Sequence, residues 1–384
     1  MQKKVIALAV AGLVSGAAFA QTSVTLSGTV DLGYNIGKDK WTEGNVSQTH
    51  KYRNFRGGDG KGMSSSRLNI DVKEQLGSGL KAGYFHEIGL THFKGAHNDS
   101  RMTVGNDGVT GGNAASFSRT RQSFAYLESA SAGRFQIGLA NLITDYETLF
   151  ASVGSRNHVG HAYNASFDNP VTGTTIVDSM DLPRANTVSY YSPSFSGFQV
   201  MGQFGYGKSE LDDGPINNNE DSYKIYNLGL KYANGPVKAF VGGQKYERDA
   251  SESRIGGTTS SEYDRREFIV AGSYDFGVAR LAGMYFDRKA DEGSFDRKYR
   301  GGDIGLTVPV GQAELFANYG MGKNKADGSN PSWKIQTYQL GARYNLSKRT
   351  NVYALYGYGK AKEDHRNSGT GKSNVASVGL RHSF

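Results

Sequence analysis

Apolar and polar residues alternate along much of this chain, most cleanly at its two ends. In residues 374–384, Ala376, Val378, Leu380, His382 and Phe384 share one parity; Val375, Ser377, Gly379, Arg381 and Ser383 share the other. A period of two is that of a β-strand whose faces meet two different surroundings. Near the other end, Val24, Leu26, Val30, Leu32, Tyr34 and Ile36, with Gly28 among them, oppose Thr25, Ser27, Thr29, Asp31, Gly33 and Asn35. A strand that stops on Phe in mid-pattern is unusual for a terminus in water, where ends fray. It suits a strand that closes a barrel against the first strand, with lipid outside.

Between the ends the rhythm is strand, short turn, strand, long polar stretch. Gly, Pro and Asn chemistry marks seven short turns, at residues 77–79, 131–133, 192–197, 234–236, 275–277, 309–311 and 345–349. Eight polar stretches, near 38–62, 92–117, 141–183, 208–221, 247–264, 287–298, 323–333 and 361–372, read as long loops. About sixteen strands result, with turns at one end and loops at the other, the pattern of an outer-membrane barrel. In the strand near 338–346, Tyr338, Leu340, Ala342, Tyr344 and Leu346 face lipid, while Gln339, Gly341, Arg343 and Asn345 face a wet lumen. An Arg in place of Gln339 is therefore expected to be tolerated. The predicted fold is all-β: a 16-stranded antiparallel transmembrane β-barrel. The blade period of a propeller does not recur.

Residues 1–20 carry Lys3 and Lys4, an apolar run too short to span a bilayer, and Ala18-Phe19-Ala20. That is an export signal with an A-x-A cleavage site, so the barrel is expected over residues 21–384. No later apolar run is long enough for a transmembrane helix, which leaves barrel strands as the route across a membrane. Cysteine is absent, so the exported chain must be held by a core or by a closed hydrogen-bonded sheet. The net charge of +8 comes from 44 basic residues dispersed among 36 acids. This gives no clustered patch for nucleic acid.

Few motifs suggest chemistry. Gly202, Gly207, Lys208 and Ser209 match a P-loop, but they lie in an alternating strand and no helix follows to hold phosphate. His158 and His161 are expected as solvated loop histidines: a zinc site needs three or four convergent ligands, and no third has suitable spacing. His86-Glu87 could supply a base, yet no nucleophile elbow or paired catalytic pattern accompanies it. No metal or cofactor is expected. Three arginines stand out, because Arg67, Arg121 and Arg184 each begin a strand after a long polar stretch, at a similar height, and alternation is expected to point Arg67 and Arg121 at the lumen. The longest stretch, 141–183, carries Asp145 and Glu147 near its start. Unstructured segments of that length usually have a function. Folded inward as a constriction loop, it would set carboxylates against the arginines. The alternative is that all five are ordinary charges of a wet wall.

Five segments together resemble the Gram-negative general porins, especially the betaproteobacterial trimeric type, over essentially the whole mature chain. They are S-V-T-L-S-G-T-V-D-L-G-Y (23–34), R-L-N-I-D-V-K-E-Q-L-G-S-G-L-K-A-G-Y (67–84), S-R-T-R-Q-S-F-A-Y-L (118–127), Y-Y-S-P-S-F-S-G-F-Q-V (190–200) and V-G-L-R-H-S-F (378–384). The resemblance implies a trimer of sixteen-stranded barrels with a constriction loop after the fifth strand. Arg67, Arg121 and Arg184 match the family's arginine cluster, and Asp145 and Glu147 are the nearest match to its loop acids. Val378, Leu380 and Phe384 match a terminal signal read by the barrel-insertion machinery. A P-E-F-G loop motif common in the family is absent, and Asn141 stands near a position where arginine is frequent. The expected function is passive diffusion of small hydrophilic solutes and ions, with a modest anion preference. The partners would be outer-membrane lipid, lipopolysaccharide and two further copies of the chain. A porin preferring a small organic anion or phosphate is one alternative, and a barrel lipase or protease is another.

Overall fold

The computed structural model describes residues 22–58, 62–92, 117–168, 175–177, 183–212, 218–249, 251–252, 259–260, 263–291, 296–327, 332–364 and 369–384. The leader expected at 1–20 and most of the loop expected at 92–117 lie outside the described residues. The first six strands are β1 (Thr22–Glu43), β2 (Val46–Gly57), β3 (Arg67–Gly77), β4 (Leu80–Leu90), β5 (Phe117–Ser129) and β6 (Gly133–Asn141). After the long segment that follows β6, which holds the small pair β7 (Phe167–Asp168) and β8 (Thr175–Val177), come β9 (Arg184–Tyr191), β10 (Phe198–Asp212), β11 (Asn218–Asn234) and β12 (Val237–Arg248). A second small pair, β13 (Ser251–Glu252) and β14 (Thr259–Ser260), precedes β15 (Tyr263–Asp275), β16 (Arg280–Asp291), β17 (Asp296–Val310) and β18 (Ala313–Ala326). The chain ends with β19 (Trp333–Asn345), β20 (Thr350–Glu363) and β21 (Thr370–Ser383).

Apart from the two small pairs, these strands form one antiparallel sheet closed on itself. Its first strand meets its last from Thr29↔Ser383 to Thr42↔Thr370. The upper half of β1 pairs with β2 and its lower half with β3. Thus β2 and β3 occupy one wall position, with residues 62–66 stepping inward just before β3, and the barrel has sixteen strand positions. Closure continues to the last residue, since Gly28 and Phe384 exchange backbone hydrogen bonds of 3.0 and 3.1 Å. A Cβ on Gly28 would lie 2.5 Å from both the Phe384 ring and the Arg67 carbonyl, so only glycine lets the aromatic lie over this seam.

All seven short turns fall where the sequence places them, between consecutive wall strands. Several of the polar stretches, however, are not loops. The β1–β2 hairpin turns only at residues 44–45, and β10 and β11 stay paired out to Asp212↔Asn218. Above the apolar band both faces of a hairpin meet water, so alternation fades while backbone pairing continues. The sequence signal was for two-sided wetness, not for loss of the strand. The P-loop match lies inside β10, with no helix after it.

The outward face is apolar: Val378, Leu380, Leu340 and Leu228 are all more than a third exposed. Leu340→Arg is therefore expected to cost ~2–4 kcal/mol near the bilayer midplane. Urea refolding into lipid vesicles should show the loss as a lower midpoint.

Candidate functional site

The inward face is divided in two. Residues 142–167 fold into the barrel and cover the inward side chains of β10–β20. Leu142, Ile143, Ala151, Val153, Ala162 and Tyr163 are buried. Most of them pack in clusters with wall residues such as Phe240, Ile269, Phe286, Phe316 and Tyr299. The expected wet lumen is thus dry on that side.

Polar wall residues fix the segment at three stations. At its base, the Ile143 N–H donates to Gln203 Oε1 (2.8 Å) and the Thr144 hydroxyl to Gln244 Oε1 (2.8 Å). In the middle, Gln339 accepts from the Ser155 N–H (2.7 Å) and donates to the Ser155 and Val159 carbonyls (3.2 and 3.0 Å). At the far end, the Ala162 and Tyr163 N–H groups donate to the two oxygens of Asp303 (2.8 and 2.9 Å), and Arg288 donates to the Tyr163 carbonyl (2.7 Å). Gln339 is wholly buried. The expectation that it faces open water, and would tolerate Arg, is therefore corrected.

His158 and His161 are not solvated either. Both belong to the loop and are buried against the wall, with His158 Nε2 2.8 Å from Ser377 Oγ and His161 Nδ1 3.9 Å from Asp303. Among the described residues no cluster of three or more His, Cys, Asp or Glu could hold a metal. Burial, aided by the nearby Arg56, holds the His158 pKa down to about 3. Burial also lowers that of His161 against the opposing pull of Asp303. An undocked loop histidine would titrate near ~6.5. The docked state therefore has its full histidine contribution above pH ~6.5 and loses it, by up to about tenfold per pH unit, as pH falls toward 3. Single-channel current at pH 4 should fluctuate more than at pH 7, and His158→Gln should flatten that dependence.

The open half of the lumen lies between this loop and β3–β6. Its middle is a chamber of about 600 Å³ lined by Arg67, Arg119, Arg121, Arg156, Arg184, Glu87 and Asp145, with polar and loop residues between them. All three arginines singled out from the sequence line it, each by a separate device. Arg67 is where β3 begins after the inward step, and that step is tied to Asp31 through the Ser64 N–H (2.8 Å) and to the Gly58 carbonyl through the Ser66 N–H (2.9 Å). Arg184 opens β9 opposite Asn141. The expectation that alternation alone points Arg121 at the lumen is corrected, because unbroken alternation with the exposed Ala125 and Leu127 would point it at lipid. A register shift instead pairs Gln122 with Glu87 but Thr120 with Ile88, leaving Arg121 as the extra residue of a bulge. Bulges re-aim side chains in this way, and here Arg121 turns inward and is buried.

Glu87 lies between two of the arginines, 2.6 Å from Arg121 Nε and 3.7 Å from Arg67 Nε. Sequence reasoning weighed Glu87 only as a possible base beside His86 and did not place it among the arginines. A straight two-residue hairpin at Ser78-Gly79 would set Arg67 opposite Leu90, but a shift near Gln75 and Gly77 sets it opposite Gly89. Arg119 was hidden by the same bulge, since unbroken alternation would send it outward along with Arg121. Arg156 carried no sequence signal beyond its place in the long loop.

The two loop acids separate. Ile143–Tyr146 is a single helical turn, and residues two apart on such a turn face away from each other. Asp145 stays in the chamber but is 3.3 Å from Arg156 of its own loop. Glu147 points below it and pairs with Lys231 on β11 at 2.8 Å. Of the two loop carboxylates expected against the wall arginines, Asp145 lies in their chamber, and the expectation for Glu147 is corrected. Both sides of the chamber carry arginine, with five guanidinium groups against two carboxylates. Below it a second chamber, of about 800 Å³, runs toward the short-turn end near Gly79, and Glu147 lines that one. Neither chamber has a histidine among its described lining residues.

The family model for Gram-negative porins matches residues 7–364. The chain is 32% identical over 416 residues to outer membrane porin protein 32 of Delftia acidovorans, with all of both chains covered. It is 29% identical over 421 residues to an outer membrane porin protein of Bordetella pertussis, again with both fully covered. The fold superposes on an anion-selective porin from Comamonas acidovorans with a TM-score of 0.62 at 24% identity, over 95% of this chain and 100% of that one. It also superposes on a trimer form of OmpT from Vibrio cholerae with a TM-score of 0.57 at 16% identity, over 94% and 99% of the two chains. A closed barrel with an open passage and a family match over most of its length lead to one conclusion: the chain belongs to the Gram-negative porins, channel proteins of the outer membrane.

Proposed function

We propose that the arginine-lined chamber is the narrow part of a passive diffusion path and that it favours small anions. The observation that carries this reading is the excess of five arginines over two carboxylates where the inward loop leaves only a partial lumen. Charges in a narrow, low-dielectric-walled passage concentrate ions of opposite sign. The anion-selective porin of Comamonas acidovorans, similar in fold, supports it. The family match to Gram-negative porins favours a channel over the alternative of a barrel enzyme. The purified protein in a planar bilayer under a KCl gradient should give a zero-current potential of the sign set by chloride. A potential of the opposite sign would overturn the reading.

Assembly follows the same resemblance. Residues 1–20 would be removed on export, three copies would associate in outer-membrane lipid and lipopolysaccharide, and Val378, Leu380 and Phe384 would present the terminal strand to the insertion machinery. Val378 and Phe384 are 56% and 43% exposed on the outward face, where such a reader could reach them. The mature protein should begin at Gln21 and run as an oligomer in SDS until heated. Deletion of Phe384 should leave the exported chain in the periplasm or degraded. Normal outer-membrane amounts of the deletion variant would show that Phe384 is not part of the signal.

A further inference from the structure

Four residues line both chambers and so mark the junction between them: Phe85, Gln122, Asn141 and Tyr146. Two are aromatic, which a passage for small inorganic ions does not need. Phe85 is half-buried and stacks on Phe124 at 5.3 Å and 28°. Phe124 is itself buried, with the Arg134 guanidinium 5.3 Å from its ring centre. Phe85 is thus held from behind, with its remaining surface turned to the passage. Tyr146, at the end of the loop's helical turn, is 52% exposed within the passage. The Gln122 side chain is held in place, since its Oε1 accepts from the Asn141 backbone N–H at 3.2 Å. Directly above stand the arginines.

We propose that this junction is a binding subsite for aromatic carboxylates. The carboxylate lies toward the arginine chamber and the ring lies against Phe85 and Tyr146. Guanidinium groups match a carboxylate in charge and fork geometry. Fixed aromatic faces add attraction for a flat ring beyond its buried area. An aliphatic acid of the same charge gains only the first of these. The inference rests on the anion-favouring reading above, and it specifies a solute class for the same passage.

The test is block of chloride current by benzoate, with acetate as the comparison, in the purified full-length channel. Benzoate should half-block at a concentration at least about fivefold below that of acetate. Phe85→Leu keeps most of the bulk but loses the ring, and should bring the half-blocking concentrations of the two acids together. Tyr146→Ala provides a second variant if Phe85→Leu fails to give a heat-modifiable oligomer, and it should narrow the same gap. Equal block by the two acids, or an unchanged gap in the variants, would overturn the subsite while the chloride-selective zero-current potential persists. Loss of that potential in the parent channel would instead remove the anion-favouring reading itself.

Discussion

Replacing Arg67, Arg121 and Arg184 with alanine, singly and then together, is expected to lower the anion-to-cation permeability ratio stepwise while conductance rises. A unit charge about 6 Å from a passing ion is worth ~0.7 kcal/mol even at the dielectric constant of water, about threefold in local concentration. Anions lose this attraction as cations lose the matching repulsion, so the unscreened ratio changes by about tenfold per arginine. Mobile ions and Glu87 reduce the effect, leaving about threefold per site as the expected step. Alanine also removes a bulky side chain from a chamber of about 600 Å³, which widens the path. Glu87→Gln should move the ratio the other way, because it releases the two guanidinium groups it now engages. Arg53 is exposed on β2 outside both chambers, so Arg53→Ala is the control. Reversal potentials under a salt gradient decide the matter. Cluster variants indistinguishable from Arg53→Ala would place the permeation path elsewhere.

The wall was legible in the sequence because lipid imposes a strict rule on alternate residues. Leu340, Leu380 and Phe384 stand outward where period two puts them, and turn chemistry alone located all seven short connections. What could not be read was where the period breaks. One extra residue at Arg121 and one shift near Gln75 change which side chains meet inside. Neither leaves a mark in hydropathy, because Arg and Gln look equally polar on either parity. The half-dry lumen was hidden for a related reason. Gln203, Gln244, Asp303, Asn318 and Gln339 are the residues a water-filled wall would carry, and they are also what satisfies the backbone and the Thr144 hydroxyl of a docked loop. Composition cannot separate those uses. The buried histidines misled in the opposite direction: in a long polar stretch they read as solvated, whereas the stretch folds inward and buries them.

Gln339→Leu is expected to free the middle of the loop while leaving the barrel intact. The side chain is wholly buried and makes three hydrogen bonds to loop backbone, one accepted and two donated. Two loop glycines lie against it. Gly154 and Gly160 have φ of 82° and 134°, and a Cβ on Gly160 would come within 2.5 Å of the Gln339 Cβ. No other residue type lets the loop approach so closely. Leucine has similar bulk but cannot answer the Ser155 N–H or the Val159 carbonyl. Each of the three backbone groups left without its partner costs ~1–3 kcal/mol, so ~3 kcal/mol is the lower end for the three. A total of ~3 kcal/mol raises the undocked population about a hundredfold. The wall register Asn318↔Gln339↔Gly357 depends on backbone alone, so the heat-modifiable oligomer should survive. Mean conductance and current noise should both rise, and trypsin should gain access to Arg156, which the docked loop holds against Tyr163 at 4.5 Å. Gln336→Leu, three residues away on the exposed face of β19, should do neither. Parent-like noise and trypsin resistance in the Gln339 variant would mean that the two end stations hold the loop without its middle one.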